Sequence, residues 1–377
     1  MNQDHFFNTI IEHYNNKLPF VVYRKPNTIS VKGLLQNNNK LYKIEHFTES
    51  GFAFAPFNIE EDSILIPLEH SKIIELKYAS SELHNDVSKG KKERENTSED
   101  IKSFHVNLVD KAVKTIREEE YFKKVVISRK EAIKTSKDDP INLFKRLLDK
   151  YKTAFVYCWY HPNIGLWLGA TPETLLKVKG SQLSTMALAG TQKYDGTTDV
   201  IWQEKEQTEQ QLVTDFIVNH IKPIVNSLSI GKTETLKAGN LLHLKTELRG
   251  LLEKGNHNLK DIVLALHPTP AVCGMPKMRA KQFILDNENY NREFYTGFLG
   301  ELNIKEQITR NNNRRNVENN AYNTIKTVTN LFVNLRCMQY KNAETIVYVG
   351  GGITKDSIPE KEWEETVNKT LTVKSIL

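Results

Sequence analysis

The stretch Ala154-Phe-Val-Tyr-Cys-Trp-Tyr-His-Pro-Asn-Ile-Gly-Leu-Trp-Leu-Gly-Ala-Thr-Pro-Glu-Thr-Leu-Leu-Lys-Val-Lys-Gly-Ser-Gln-Leu-Ser-Thr-Met-Ala-Leu188 decides the fold class. Apolar and aromatic residues fill 154–159 and 165–170, which read as two strands joined by the turn His161-Pro-Asn163. Residues 174–179 and 182–188 read as a second strand pair around Lys179-Gly180. Four strands in succession, with no helix between them, break the strict alternation of a parallel α/β sheet.

Outward from there the two element types stay mixed. Apolar residues at 101, 104, 108, 109, 112, 113 and 116 have helical spacing and predict a helix over 101–120. A strand at 125–128 and a helix at 141–149 follow. Beyond the opening stretch come a long polar helix over 199–228, a strand at 241–251 and a helix at 259–266. The Pro/Gly-rich segment 267–276 precedes a helix at 277–287, strands at 298–304, 330–340 and 345–349, and a closing helix from 360. The N-terminal part reads as short strands at 20–23, 29–35, 40–47, 51–57 and 64–67, and it ends in a polar linker at 89–100. The mixture predicts a large α+β fold, a layered α/β sandwich without internal repeats. We divide it into an N-terminal strand-rich part, 1–100, and a catalytic region, 101–377.

Composition narrows the function classes. The chain has 377 residues, 39% hydrophobic and 26% charged, so disorder, collagen and coiled coil do not describe it. A net charge of +6 over this length does not argue for nucleic acid and suits a small anionic substrate. Three cysteines without a CxxC exclude a disulfide framework and a zinc ribbon and fit a reducing cytoplasm. The N-terminus lacks the basic start and apolar stretch of a signal peptide, and no apolar run approaches the ~20 residues of a membrane span. The Asn/Arg-rich segment 305–326 reads as a solvent-exposed hairpin excursion, with RNA contact through Arg310, Arg314 and Arg315 as the alternative.

Several constellations carry chemistry. Glu206 and Glu209 lie three apart on one helix face, and Glu362 and Glu365 repeat the spacing on the last helix. On spacing alone each pair reads first as a solvated face. If the helices meet, four carboxylates converge, a hard oxygen site of the kind Mg²⁺ prefers. Gly350-Gly-Gly352 follows an apolar strand, where bare N–H groups can face an anion or simply make a turn. Arg336 falls inside a predicted strand and needs a counter-charge from a ligand or from the protein. Lys369 shares a helix face with Glu365. Lys124 opens the strand Lys124-Val-Val-Ile-Ser-Arg129. Bringing a lysine from its reference pKa of about 10.4 to about 7 corresponds to ~4.6 kcal/mol, which burial or a nearby cation supplies. Glu173, after Gly169-Ala-Thr-Pro, reads as a protonated acid or as a helix-start carboxylate.

Together, in chain order, these pieces resemble one family. They are joined by Leu188-Ala-Gly-Thr191, Glu204-Lys-Glu-Gln-Thr-Glu-Gln-Gln-Leu-Val213, His267-Pro-Thr-Pro-Ala-Val-Cys-Gly274, Phe294-Tyr-Thr-Gly-Phe-Leu-Gly300, Leu335-Arg-Cys337 and Glu362-Trp-Glu-Glu-Thr366. From residue 101 onward the chain resembles the chorismate-utilising enzymes, and among them the isochorismate synthases. The resemblance implies two stacked, mainly antiparallel sheets flanked by helices, as in anthranilate synthase component I. It implies Lys124 as the base that activates water for attack at ring C2 and Glu173 as the acid that protonates the departing C4 hydroxyl. It implies Mg²⁺ on Glu209 and Glu365, with Glu206 and Glu362 as further direct or water-mediated ligands. Arg336, Gly350 and Lys369 would hold substrate carboxylates, and Gly190 and Thr191 would line the ring pocket.

The subfamily rests on few residues. Relatives that attack through a nucleophilic lysine carry it where this chain has Ala189, and the ammonia-using relatives lack a lysine at the position of Lys124. Both differences imply water as the nucleophile and no glutaminase partner. A cytoplasmic monomer acting on chorismate, feeding menaquinone or siderophore synthesis, is the expectation. The alternative is a salicylate synthase, which goes on to eliminate pyruvate. Where this chain has Gly351, the family usually has alanine.

Overall fold

The structure is a computed structural model that describes residues 1–79, 99–134, 139–239, 241–253, 258–308, 324–341 and 344–377. The N-terminal part opens with α1 (Gln3–Asn15), capped by the Asn2 side chain, and continues through β1 (Phe20–Arg24), β2 (Ser30–Gln36), β3 (Tyr42–Lys43), β4 (Gly51–Ala55), β5 (Ile64–Pro67) and β6 (Ser71–Lys77). Then come α2 (Glu99–Glu118), β7 (Lys124–Lys134), α3 (Pro140–Lys150), β8 (Phe155–His161), β9 (Gly165–Thr171), β10 (Thr174–Lys179) and β11 (Gln182–Lys193). The remainder is α4 (Glu204–Ile221), β12 (Ser227–Ile230), β13 (Glu234–Ala238), β14 (Leu241–Leu251), α5 (Leu259–Leu266), β15 (Gly274–Met275), α6 (Lys277–Asn287), β16 (Phe298–Ile308), β17 (Thr324–Val333), β18 (Cys337–Lys341), β19 (Glu344–Ile353) and α7 (Pro359–Lys374).

Among the described residues the strands form two sheets, and every pairing is antiparallel. The first runs β15-β7-β19-β18-β9-β8-β1-β2-β6, and the second β12-β14-β11-β10-β17-β16-β4-β5-β3 with β13 against β14. An aromatic layer that includes Phe54, Tyr157, Trp159, Trp167 and Phe294 fills the space where the sheets face each other. α1 and α3 cover the outer face of the first sheet, α4 and α5 that of the second, and α2 and α6 pack on β7. The N-terminal strands are spread over both sheets, β1, β2 and β6 in one and β3, β4 and β5 in the other.

Two chain crossings between the sheets position the site. β9 belongs to the first sheet and β10 to the second, and Glu173 sits in the short link between them. β17 belongs to the second and β18 to the first, and Arg336 sits in that link. The links are tied together, since the Val333 N–H donates to the Glu173 carbonyl at 3.0 Å.

Several sequence expectations are corrected here. The strand expected over 330–340 is broken at 334–336, because the chain leaves one sheet for the other there. Arg336 is therefore not a strand residue, and it adopts φ +49°. Gly350, Gly351 and Gly352 do not follow a strand; they lie inside β19, opposite Ser128, Ile127 and Val126. The helix expected over 199–228 is confined to Glu204–Ile221, because Pro223 stops it, and the residues beyond form β12 and β13. α1 and β6 were not anticipated. The polar linker lies largely outside the described residues, as does the middle of the 305–326 excursion, whose flanks pair as β16 and β17.

Candidate active site

The two crossings, β11, α4, β19 and α7 enclose a cavity of about 150 Å³. Nine of the eleven residues singled out in the sequence line it: Glu173, Gly190, Thr191, Glu206, Glu209, Arg336, Gly350, Glu365 and Lys369. Lys124 and Glu362 lie just behind the wall. Lys124 is 1% exposed and donates to Glu209 Oε1 at 2.6 Å. A Cβ on Gly352 would meet Lys124 Cε at 2.8 Å and Glu209 Oε1 at 3.0 Å, so the bare backbone there makes room for that ion pair. A Cβ on Gly190, at φ +69°, would meet Glu206 Cβ at 3.1 Å, which lets β11 lie close against α4.

The acidic residues share their site with three ammonium groups. Lys124 pairs with Glu209 at 2.6 Å, Lys369 with Glu365 at 2.7 Å, and Lys205 with Glu362 at 3.4 Å. Burial pushes the Glu209 carboxyl up, but Lys124, Lys369 and Lys205 outweigh it and hold it below the ordinary carboxylate range. Burial, then the charge of Glu365, pushes Glu362 up. Among the described residues no group of three or more His, Cys, Asp and Glu is arranged to hold a metal ion. The donor set nonetheless fits a hard cation: Glu206 Oε2 is buried without a hydrogen-bond partner, and a Cβ on Gly351 would meet Glu362 and Glu365 oxygens at 3.6 and 3.9 Å.

Glu173 is set apart from this ladder. It is 2% exposed, its backbone N–H donates to Thr171 Oγ1 at 3.3 Å, and burial raises its carboxyl to about 8 against the opposing pull of Lys124. It is therefore an acid with its proton on at neutral pH. Lys124, just behind the wall, and Glu173, in it, are thus two proton carriers with different surroundings beside the cavity.

Arg336 also lines the cavity. Its Nη1 donates to the Ala238 carbonyl at 2.9 Å and its Nη2 lies 2.8 Å from His243 Nε2. His243 Nδ1 lies 2.9 Å from the Gly190 carbonyl. Nδ1 must therefore carry the proton and Nε2 accept from the guanidinium. Burial, then the charge of Arg336, lowers His243 to about 3, so it stays neutral. Burial also lowers Arg336, to about 10, which leaves it charged at neutral pH and without a carboxylate partner among the described residues. Lys369, which donates to the Gly350 carbonyl at 3.0 Å, adds a second cation. Sequence reasoning missed His243, Lys205 and Tyr295, all of which line the cavity. A histidine flanked by leucines in Leu241-Leu-His-Leu244 was the one signal available.

The comparisons with known proteins bear on this geometry. A family pattern described as chorismate binding enzyme matches residues 55–308, and a second of the same description matches residues 324–375. Isochorismate synthase MenF of Pasteurella multocida is 32% identical over 220 residues, 56% of this chain and 46% of that protein. Anthranilate synthase component 1 of Aquifex aeolicus is 26% identical over 332 residues, 81% of this chain and 62% of that protein. The matched stretches thus span roughly half to three fifths of these relatives. Among solved structures, a DhbC described as a 2,3-dihydroxybenzoate-specific isochorismate synthase from Bacillus anthracis superposes with a TM-score of 0.75 at 21% identity, covering 98% of this chain and 99% of that one. Anthranilate synthase component I of Streptococcus pneumoniae gives 0.60 at 19%, covering 94% and 92%. The fold is the one those enzymes share, and with the family pattern spanning well over half its length, this chain belongs to the chorismate binding enzymes.

Proposed function

We propose that this chain converts chorismate to isochorismate. The observation that carries the reading is that Lys124, just behind the cavity wall, lies within electrostatic reach of the buried Glu173 that lines it, while Arg336 and Lys369 line the same cavity. Chorismate is a dianion, and those two cations are its counter-charges. Lys124 must first give up the proton it shares with Glu209; as the neutral amine it takes a proton from water as the oxygen bonds to ring C2, the ring double bonds shift, and the C4–O bond breaks. Glu173 gives its proton to the leaving hydroxyl, so one water enters and one leaves. The reset is a proton returned from Lys124 to Glu173. Mg²⁺ on Glu209 and Glu365, with Glu206 and Glu362, would add positive charge for a ring carboxylate. Arg336 orients its own carboxylate from the rigid frame of His243 and the Ala238 carbonyl.

Ala189 and Lys124 favour water over a lysine or ammonia nucleophile, so no glutaminase partner is needed; the enzyme is taken as a cytoplasmic monomer. Among the described residues no helix is long and apolar enough to cross a membrane. The product feeds menaquinone or catechol siderophore synthesis, in keeping with the names of the relatives. Turnover in ¹⁸O-labelled water tests the chemistry: the isomer formed should carry one label. Unlabelled product would mean migration of the substrate's own hydroxyl, and an aminated product in ammonium would move the chain to the anthranilate branch. Pyruvate release, read with lactate dehydrogenase, would favour salicylate synthesis.

A further inference from the structure

One buried ion pair has no part in the chemistry above. The Glu288 and Arg292 side chains are 1% and 2% exposed and meet through two hydrogen bonds, Nη2 to Oε1 at 2.6 Å and Nε to Oε2 at 2.8 Å. Burying such a pair is a poor route to stability. Its other contacts suggest what it does. Glu288 Oε1 accepts from the Ser128 backbone N–H and from Ser128 Oγ, both at 2.8 Å. Arg292 Nη2 donates to the Val126 carbonyl at 2.7 Å, and Nη1 to the Val272 carbonyl at 3.0 Å.

These groups lie on one edge of β7. Its other edge is paired along its length with β19, but on this side β15 covers only Lys124 and Val125, and the Val126 N–H reaches the Cys273 carbonyl. Beyond that point the next outward backbone groups, the Val126 carbonyl and the Ser128 N–H, have no strand to pair with among the described residues. A carboxylate supplies the acceptor and a guanidinium the donor, in the order a neighbouring strand would. We propose that Glu288 and Arg292 are a positioning pair that replaces a missing strand along β7, locking the strand that begins at Lys124 against the Val272 loop. The proposal rests on the reaction above only for what the locked strand delivers.

The test compares Arg292→Lys, Glu288→Gln and the exchanged double variant Glu288→Arg/Arg292→Glu. Each is checked for cooperative unfolding, then read by amide hydrogen exchange and by steady-state kinetics with chorismate. Arg292→Lys and Glu288→Gln should fold, speed exchange of the Ser128 amide about tenfold and leave the Ile127 amide, which faces β19, protected. In both, kcat should fall by up to ~10²-fold, as for a reacting group moved by about an ångström, with KM nearly unchanged. The exchanged pair keeps opposite charges but sets a donor against the Ser128 N–H and an acceptor against the Val126 carbonyl, so it should rescue neither readout. Rescue by the exchanged pair, unchanged exchange and kcat in both single variants, or failure of all three to fold would overturn the proposal. Wild-type protein inert toward chorismate would instead overturn the reaction, and the Ser128 exchange result would still decide the positioning role.

Discussion

At the residue scale the account turns on two proton carriers with opposite environments. Lys124 is buried against a carboxylate, and Glu173 is buried without one close by. Lys124→Ala should remain folded and lose turnover by ~10²-fold or more, the usual worth of a positioned acid or base; a fully active variant would remove Lys124 from the chemistry. Glu173 makes two pH predictions. The acid form is lost as pH rises through about 8, so kcat should fall on that limb, and Glu173→Gln should lose both the activity and the limb. The folded pKa is raised from 4.5, so Glu173 favours folding fully below 4.5, and that contribution is lost as pH rises through about 8. The gap corresponds to roughly 5 kcal/mol, and Glu173→Gln should therefore gain in stability relative to wild type between pH 5 and 9, read by denaturant unfolding.

At the element scale the triple glycine of β19 separates the roles of neighbouring residues. Gly351→Ala should be silent in activity and stability, because the added methyl meets nothing closer than 3.6 Å. Gly352→Ala should cut kcat sharply, because its methyl enters the space of Lys124 and Glu209 at 2.8 and 3.0 Å. Steady-state kinetics on both variants checks the contrast. Legibility from sequence also divides at this scale. β14, α5 and α6 fall where read, because Asn258 caps one helix, Pro276 precedes another, and Leu242, Leu244 and Leu248 alternate. The break at Arg336 was not legible, because it follows from the chain changing sheets, a tertiary event with no local signal. The glycines read as a turn for the same reason: only β7 alongside them makes them strand. Glu206, Glu209, Glu362 and Glu365 were legible as two helical pairs, but their shared lysines, Lys205 among them, depend on how α4 meets α7.

At the scale of the whole molecule, stability should be bounded on the acid side by buried neutral histidines. Burial lowers His105 and His267 to about 4 and His243 to about 3. A base lowered by folding stabilises fully above its unfolded value of 6.5 and ceases to as pH falls through its folded value, so Tm should drop between about pH 6.5 and 4. His105 is the informative one, because both its ring nitrogens are buried without partners among the described residues, beside Trp363. His105→Phe should leave Tm at pH 7 unchanged or higher and shrink the acid loss, since a buried polar group without a partner is better replaced by an apolar ring. A larger acid loss in that variant would contradict the assignment. Mg²⁺ gives a further molecule-wide readout: it should raise Tm in wild type and not in Glu209→Gln, whose carboxylate is gone.

The measurement that tests the central claim most directly is product identification. Purified protein is incubated with chorismate, with and without Mg²⁺, and the mixture is separated by liquid chromatography with mass detection. The account predicts a new Mg²⁺-dependent peak with the mass of chorismate and a different retention time. No isomer under either condition, with chorismate recovered intact or converted only to a pyruvate-releasing product, would contradict it.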